Sequence, residues 1–467
     1  MRRTSRGFSG AKSDRRQASS VPPRDSRHTT TSYRSSGGTM PPASPWAHSG
    51  DRHPGVTGGL CERRRPACLF SIGQRDMTPS FLKTMWSRYG ASAVVTAMAL
   101  WAAMQSLDNR AAALSKDSAE FVYIGTQDRR IHVLRFDTST GELAEIGPAA
   151  EGPRSTWVTA HPRLPMLYAV DDDNSKQGSV TAYAVNRETG ALARIDEVET
   201  GGSGTTNLYL DVPSATLLAA NYGGGSVASI ALNDEGGLGP RISTIKETGS
   251  GPNRRQASAH AHSAVVDPSG RYVLVPDLGA DRVFVYGFDR ATHRLLPDDH
   301  KPARSFVAPP GSGPRHIAFG SSGQFAYLLT ELSAQVMTFR WDASEGRLTL
   351  VQTLPITRAQ FDGVKSGAGI AVSRDGRFLY VEDRGEDALV VFRIDEASGE
   401  LSPVQRIASG GEKPWGFALD PSGRWMLVAN QRSGRVNVFG IDPVSGRLSD
   451  TGHWADVVTP VSVAFMK

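Results

Sequence analysis

The stretch HSAVVDPSGRYVLVPDLGADRVFVYGFD, residues 262–289, decides the fold. It contains a short apolar run, a Pro-Ser-Gly turn, an alternating run, a polar loop and a second alternating run. Alternation over five to seven residues, bounded by Gly, Pro or Asp, is typical of antiparallel strands. The unit recurs in RHIAFGSSGQFAYLLTELSAQVMTFRWD (315–342) and WGFALDPSGRWMLVANQRSGRVNVFGID (415–442), often with a TG-x-L or SG-x-L ending. A repeated four-stranded antiparallel unit predicts a β-propeller blade.

The residue that ends the second strand of each unit gives the number of blades. Seven such positions occur, 45 to 56 residues apart: Thr126, Asp171, Asn221, Asp277, Glu331, Asp383 and Asn430. The first unit lacks its innermost strand, and the last is followed by an unused one, PVSVAF (460–465). We therefore predict an all-β, seven-bladed β-propeller over residues 121–467. The C-terminal strand is expected to close the first blade, which leaves no open sheet edge.

The first 113 residues differ in composition from the repeats. Residues 1–76 carry a net charge of +9, are rich in Ser, Arg, Gly and Pro and lack apolar periodicity, so we predict a disordered extension. From Met77, basic residues precede an apolar run at 91–107 and an A-x-A sequence, which is the order of a secretory signal peptide. We predict that translation begins at Met77 and that 77–113 is a signal peptide, or an uncleaved membrane anchor. The protein would then be periplasmic or secreted, and cytoplasmic if the apolar segment is not a functional signal.

Composition and motifs exclude several classes of function. Residues 77–467 carry a net charge of −4, so the basic character of the whole chain does not support a nucleic-acid partner. Both cysteines, Cys61 and Cys68, lie in the N-terminal extension, which excludes a disulfide scaffold. Serine-hydrolase, zincin, P-loop and dinucleotide motifs are missing, and we predict no cofactor. His260 and His262 share a strand face, but no third ligand has a recognisable spacing, so we predict no metal.

One mouth of the central channel is expected to gather ionisable side chains. In an antiparallel blade, the start of the first strand and the end of the second lie at the same face of the disc, and the first strands line the channel. These positions bring together one imidazole, two guanidinium groups and a carboxylate: His262, Arg315, Glu331 and Arg384. Because the repeats do not need ionisable residues there in order to fold, their convergence predicts a functional site.

Each of these side chains also has a structural interpretation. Acidic and amide residues that follow a strand often cap turns, which applies to Asp171, Asn221, Asp277 and Asp383. Arg315 and Arg384 are able to bridge blades through salt bridges. Glu331 is flanked by Leu332 and faces a crowded channel, so we expect burial to raise its pKa.

The sequence around these residues resembles the seven-bladed lactonase family, which includes bacterial 6-phosphogluconolactonase and fungal carboxy-muconate cyclase. The matching stretches are YIGT (123–126), LLAANYGGGSV (217–227), RRQASAHAHSAVVDPSGRYVLVPDLGADRV (254–283), GSGPRHIAF (311–319), AYLLTELS (326–333) and GRFLYVEDRG (376–385). The resemblance implies hydrolysis of a sugar-type lactone at the channel mouth, with His262, Arg315, Glu331 and Arg384 as catalytic residues. Predicted substrate contacts in or beside the same motifs are Asn221, Tyr222, Arg255, Gln256, His260, Asp277 and His316.

Four positions depart from the family pattern. Gly369 stands where an acidic residue is usual, Ala371 replaces a His, Trp415 replaces an Arg, and Asp172 replaces a Glu. We therefore expect fewer polar groups around blades six and seven, which argues against a phosphorylated sugar as the substrate.

Within this hypothesis, a guanidinium group stabilises the oxyanion and another holds an anionic group of the substrate. We assign the first role to Arg315 and the second to Arg384, and leave Glu331 and His262 as alternative general bases. Two other functions remain open: a lactonising enzyme of the carboxy-muconate cyclase type, and a non-catalytic exported propeller that binds a ligand or partner.

Overall fold

A computed structural model describes residues 119–301 and 303–466, and the predictions for residues 1–113 lie outside this range. The described residues form seven small antiparallel sheets and one 3-10 helix, Val212–Ser214. None of their helices has the length and apolar character that crossing a membrane requires.

The first four blades are built in chain order from strands of two to twelve residues. Blade one contains β1 (Ala119–Thr126), β2 (Arg130–Asp137) and β3 (Leu143–Glu151). Blade two contains β4 (Val158–Ala160), β5 (Met166–Val170), β6 (Gln177–Val185) and β7 (Leu192–Ser203). Blade three contains β8 (Thr205–Asp211), β9 (Thr216–Asn221), β10 (Ser226–Leu232) and β11 (Leu238–Lys246). Blade four contains β12 (Val265–Val266), β13 (Tyr272–Asp277), β14 (Arg282–Asp289), β15 (Arg294–Leu296) and β16 (Phe306–Val307).

The last three blades repeat the four-stranded unit. Blade five contains β17 (Pro314–Phe319), β18 (Phe325–Thr330), β19 (Gln335–Asp342) and β20 (Arg347–Pro355). Blade six contains β21 (Gly367–Val372), β22 (Phe378–Asp383), β23 (Ala388–Ile394) and β24 (Leu401–Ala408). Blade seven contains β25 (Pro414–Leu419), β26 (Trp425–Asn430), β27 (Arg435–Ile441) and β28 (Leu448–Asp456). The remaining strand is β29 (Pro460–Met466).

The ring is closed by the pairing of the first and last strands. Strand β29 pairs antiparallel with β1, with Phe121 opposite Met466 and Tyr123 opposite Ala464, and becomes the innermost strand of blade one. The predicted all-β, seven-bladed propeller and its closure by the C-terminal strand are confirmed.

The core consists of seven apolar clusters, one between each pair of neighbouring blades. Alternation along each strand produces this arrangement, because successive side chains point to opposite faces of a sheet. In β1, for example, Val122 and Ile124 pack against blade seven, whereas Tyr123 packs against blade two. Each sheet is therefore buried on both faces.

The TG-x-L and SG-x-L turns join one blade to the previous one. The hydroxyl groups of Tyr123 and Tyr380 donate hydrogen bonds to the carbonyl oxygens of such turn glycines in the next blade, over 2.8 and 3.1 Å. Tyr168 does the same over 2.7 Å to Gly236, which lies in the corresponding E-G-G-L turn. At Gly446 the backbone has φ +71°, and an added Cβ would lie 2.4 Å from the Phe378 ring. The repeated glycine is therefore explained by its backbone angle and by this close approach.

Irregular register at the start of several first strands directs side chains into the channel. The pairing shifts between Pro314 and His316 in β17, and between Pro414 and Gly416 in β25. Bulges of this kind change the direction of a side chain. The residues at these two shifts, Arg315 and Trp415, both line the cavity at the channel mouth.

Candidate active site

The channel mouth contains a cavity of about 780 Å³. This volume lies within the range of small-molecule sites in proteins. Seven of the predicted site residues line it, including all four predicted catalytic residues: Tyr222, Arg255, His262, Arg315, His316, Glu331 and Arg384. They come from blades three, four, five and six, so the propeller brings together groups that are up to 162 positions apart in the chain.

The backbone of Glu331 is fixed between neighbouring segments. The residue directly follows β18, and its N–H donates to the carbonyl of Gly313 over 2.7 Å. Its own carbonyl accepts a hydrogen bond from the N–H of Gly367, at the start of β21, over 3.0 Å. The carboxylate consequently enters the cavity from a rigid position.

Three guanidinium groups share the Glu331 carboxylate. Arg315 Nε lies 3.0 Å from Oε2, Arg384 Nη2 lies 2.8 Å from Oε1, and Arg255 Nη1 lies 2.5 Å from Oε1. The side chains of Arg315 and Arg384 are 3% and 7% exposed, whereas that of Arg255 is 41% exposed. Because one carboxylate neutralises only one positive charge, this cluster has an excess of positive charge. Arg255 and Arg384 also connect blade five to blades four and six.

The pKa of Glu331 is lowered, and the expectation that it would be raised is wrong. Burial alone would raise the pKa of this carboxyl group, but the charge of Arg384, a hydrogen bond from His262 and the charge of Arg315 hold it well below its ordinary value. Sequence reasoning considered burial without the arginines that the fold gathers around the group. Glu331 is therefore a carboxylate at neutral pH and a weak proton acceptor.

His262 is neutral at the same pH. Burial and the charge of Arg315 lower its pKa to about 4, although the nearby Glu331 opposes the shift. Its Nε2 lies 3.6 Å from Glu331 Oε2, and its Nδ1 is buried and has no hydrogen-bond partner among the described residues. A proton on Nε2 is consistent with the contact to Glu331, and Nδ1 then carries a lone pair that is able to accept a proton.

His316 lies beside His262, with their ring centres 5.2 Å apart. Burial and the charge of Arg315 hold its pKa well below the ordinary value, so it is also neutral. Its ring packs edge-on against Trp157 at 5.4 Å. These side chains form one wall of the cavity.

The two buried arginines are held in different ways. Arg315 also donates from Nη1 to the carbonyl of Ala368 over 2.5 Å, and burial lowers its pKa to about 10, so it remains cationic at neutral pH. Arg384 donates from Nε to Ser366 and lies 4.3 Å from the centre of the Trp415 ring. Its Nη1 has no hydrogen-bond partner within the described residues. Arg384 therefore has one buried donor that no neighbouring group of the described residues pairs with.

Four predicted substrate contacts do not line the cavity. Asn221 and Asp277 are fully buried: the first bonds to side chains of blades two and three, and the second accepts the N–H groups of His260 and Ala280. Gln256 is also fully buried and donates to the carbonyl of Leu278. His260 stacks on Tyr222 at 4.5 Å and bonds to its backbone oxygen. In this structure these groups hold the loops that carry Tyr222 and Arg255.

Three basic residues at the mouth were missed by sequence reasoning: Arg154, Lys413 and Arg432. Arg154 is paired with Asp172 over 3.0 Å, whereas Lys413 lies over the Trp415 ring at 5.3 Å. Burial and the charges of Arg384 and Arg432 lower the pKa of Lys413. A sequence signal was present, because Arg154 lies four residues before β4 and Lys413 lies one residue before β25, both of which are first strands. Blades six and seven thus supply cations that offset the polar groups expected to be missing there.

Within residues 119–301 and 303–466, no group of three or more His, Cys, Asp or Glu side chains is arranged to hold a metal ion.

Known proteins are similar to this chain in fold and sequence. A family model described as "Lactonase, 7-bladed beta-propeller" matches residues 121–465. A 6-phosphogluconolactonase of Bacillus subtilis is 31% identical over 299 residues, which cover 63% of this chain and 83% of that protein. A 6-phosphogluconolactonase of Formosa agariphila is 30% identical over 293 residues, with coverages of 62% and 81%. The solved structure of a periplasmic gluconolactonase of Pseudomonas aeruginosa is 37% identical, has a TM-score of 0.69, and is matched over 75% of this chain and 99% of that chain.

Proposed function

The chain belongs to the lactonase family of seven-bladed β-propellers, and we propose that it hydrolyses a sugar-type lactone at the cluster around Glu331. The observation that carries this proposal is the convergence of three guanidinium groups on one buried carboxylate, inside a cavity of suitable size. Such a site has fixed positive charge where ester hydrolysis develops negative charge.

The arginines stabilise the tetrahedral intermediate. Attack of water on the lactone carbonyl carbon moves an electron pair onto the carbonyl oxygen. Arg315 is held rigidly by Glu331 and Ala368 and supplies the positive charge that faces this oxygen. Arg384, with its free Nη1 donor, binds an anionic or carbonyl oxygen of the substrate.

His262 is the general base. It is neutral above a pH of about 4 and has an unbonded nitrogen, whereas Glu331 is occupied by the arginines. His262 takes a proton from the attacking water, and the imidazolium is stabilised by Glu331. When the intermediate collapses, the bond between the carbonyl carbon and the ring oxygen breaks, and His262 returns the proton to that oxygen. The product is an open-chain hydroxy acid.

The excess of basic groups favours a lactone that carries an anionic substituent. Lys413 and Arg432 lie at the mouth beside Arg384, and the relatives of Bacillus subtilis and Formosa agariphila are named as 6-phosphogluconolactonases. The relative of Pseudomonas aeruginosa is named as a periplasmic gluconolactonase, which supports export of this chain through the segment 77–113. Both the phosphorylated substrate and the periplasmic location belong to the proposal.

The experiment is a comparison of gluconolactone with its 6-phosphate at pH 6.5, with acid release followed in a pH-stat and the spontaneous rate subtracted. Arg315→Lys and Glu331→Gln are expected to lower kcat/KM by about 10²-fold or more. Arg294→Lys, at an exposed position on β15, is the matched control and should keep full activity. If the wild-type protein hydrolyses neither compound nor other aldonolactones above the spontaneous rate, the proposal is wrong.

A further inference from the structure

A second buried carboxyl group lies behind the arginines. Glu382 is the fifth residue of β22 and is fully buried. Its Oε2 accepts the N–H of Gly369, in β21, over 2.7 Å. Its Oε1 is buried and has no hydrogen-bond partner among the described residues. The group is not part of the cavity wall, and the mechanism above does not use it.

One peptide unit connects Glu382 to Arg315. The carbonyl of Ala368 accepts a hydrogen bond from Arg315 Nη1, and the N–H of the same peptide unit, that of Gly369, donates to Glu382. Hydrogen bonds at the two ends of a peptide unit polarise each other. Glu382 consequently fixes the orientation of the carbonyl group that holds the Arg315 guanidinium.

The space for this carboxyl group exists because residue 369 is a glycine. A Cβ at this position would lie 2.6 Å from Glu382 Oε2 and 2.8 Å from the ring of Phe417 in β25. In the pairing of β22 with β23, Glu382 is opposite Leu389. A carboxyl group that is enclosed by backbone and apolar side chains, with one hydrogen bond, is not stabilised in its charged form.

Two charged groups face Glu382, and both belong to the site. Arg315 reaches it from β17, and Arg384 from the segment after β22. Phe417 and Leu389, from the other neighbouring strands, are apolar. Burial dominates over the two arginines and raises the pKa of Glu382 to about 7, in contrast with Glu331. The carboxyl group is therefore protonated in mildly acidic solution and ionised in mildly alkaline solution.

We propose that Glu382 is a positioning residue for lactone hydrolysis, which holds Arg315 through the Ala368–Gly369 peptide unit and controls how much positive charge the arginines present to the substrate. When Glu382 is neutral, the charge of Arg315 and Arg384 acts on the oxyanion. When Glu382 is ionised, a second carboxylate neutralises part of that charge, and the rate falls as the pH rises. This inference rests on the proposed function.

The test compares the pH dependence of kcat/KM in the wild type and in Glu382→Gln between pH 5.5 and 8.5. Gln keeps an acceptor for the N–H of Gly369 but does not ionise. The wild type should lose activity through pH 7 and level off about tenfold below its pH 6 value, whereas Glu382→Gln should remain within about threefold of its own pH 6 value. Glu247→Gln, which removes a different buried carboxyl group in contact with Tyr286, is the control and should keep the wild-type profile.

A second variant separates positioning from charge. Glu382→Met fills a similar space, does not ionise and has no acceptor, so its kcat should be lower than that of Glu382→Gln at every pH while KM changes little. Identical pH profiles of the wild type and Glu382→Gln, or equal kcat values in Glu382→Met and Glu382→Gln, would overturn the inference.

A spectroscopic measurement distinguishes failure of this inference from failure of the proposed function. Infrared spectra of the wild type minus those of Glu382→Gln report the ionisation of this carboxyl group without any substrate. Titration between pH 6 and 8 is expected. Titration below pH 5 would refute the inference even if lactones are hydrolysed. Subtracting the spectra of Glu382→Met reports the same carboxyl group if the Gln variant does not fold.

Discussion

Replacing Glu331 by Gln is expected to lower the free energy of unfolding at neutral pH by about 3–5 kcal/mol. The substitution keeps the shape of the side chain and removes the charge that the arginines share. Arg315 and Arg384, at 3% and 7% exposure, would remain buried and charged without this carboxylate. The loss of one partner from a buried ion pair has this magnitude because the other charge stays desolvated. Arg255 is 41% exposed and is screened by water, so it adds little.

The pH dependence of this loss has a defined sign. The pKa of Glu331 is lower in the folded state than in the unfolded chain, where it is about 4.3. Its stabilising contribution is therefore fully present above this value and disappears as the pH falls through the folded-state pKa. The difference in stability between the wild type and Glu331→Gln should be largest at neutral pH and should shrink in acid.

Urea unfolding from pH 7 to pH 3, followed by tryptophan fluorescence, measures both quantities. Asp375→Asn is the control, because Asp375 and its partner Arg377 are 45% and 49% exposed, and its loss should be about 1 kcal/mol or less. Equal losses in the two variants at pH 7, or a Glu331→Gln deficit that is unchanged in acid, would refute the reasoning.

Three further predictions concern the base, the cations and a blade junction. The first uses Glu382→Gln, in which the ionisation near pH 7 is removed. Because His262 is the base, kcat/KM of this variant should fall tenfold per pH unit only below about pH 4. An inflection between pH 6 and 7 in the same variant would contradict this role of His262. In steady-state kinetics, the double variant Lys413→Ala, Arg432→Ala should raise KM for 6-phosphogluconolactone about tenfold, while KM for gluconolactone changes less than threefold. Equal changes in KM for both substrates would exclude a subsite for the anion. Gly446→Ala should destabilise the protein by about 2–4 kcal/mol in urea unfolding, against about 1–2 kcal/mol for Gly452→Ala. Gly452 has a similar φ of +74°, but no neighbouring atom lies within 4 Å of an added Cβ. Equal losses in the two variants would show that the contact between blades is unimportant.

The fold was predictable because the repeats carry redundant information. Seven copies of the same turn and the same alternation determine the number of blades, and the strand left over at 460–465 determines how the ring closes. The convergence of the candidate residues followed from their positions, since the start of β17 and the ends of β18 and β22 lie at one face, whereas their catalytic roles were implied by the family resemblance. The strand pattern read from each repeat therefore agrees with the topology of the whole propeller.

The electrostatics of the site could not be predicted in the same way. Whether a buried carboxyl group is charged depends on the groups that surround it in three dimensions. Glu331 and Glu382 are both buried at the ends of neighbouring second strands, but their pKa values shift in opposite directions. The first is surrounded by guanidinium groups at hydrogen-bond distance, and the second is separated from them by a peptide unit. Sequence position does not distinguish these two environments.

The orientation of side chains within the motifs could not be predicted from the sequence either. Gln256 lies next to Arg255 in the sequence, yet one side chain holds the loop and the other reaches the cavity. The register shift that turns Arg315 toward the channel has no mark in the sequence, because any residue is able to occupy a bulge.

The closure of blade one by β29 has a consequence for biosynthesis. At 5–20 residues per second, a ribosome needs roughly 17–70 s to synthesise residues 121–466. Throughout this time β1 lacks its neighbour, and its apolar edge, from Phe121 to Gly125, is open to other nascent chains and to proteases. The first blade to emerge is thus the last to be completed, and chaperone binding during translation should be concentrated on this strand.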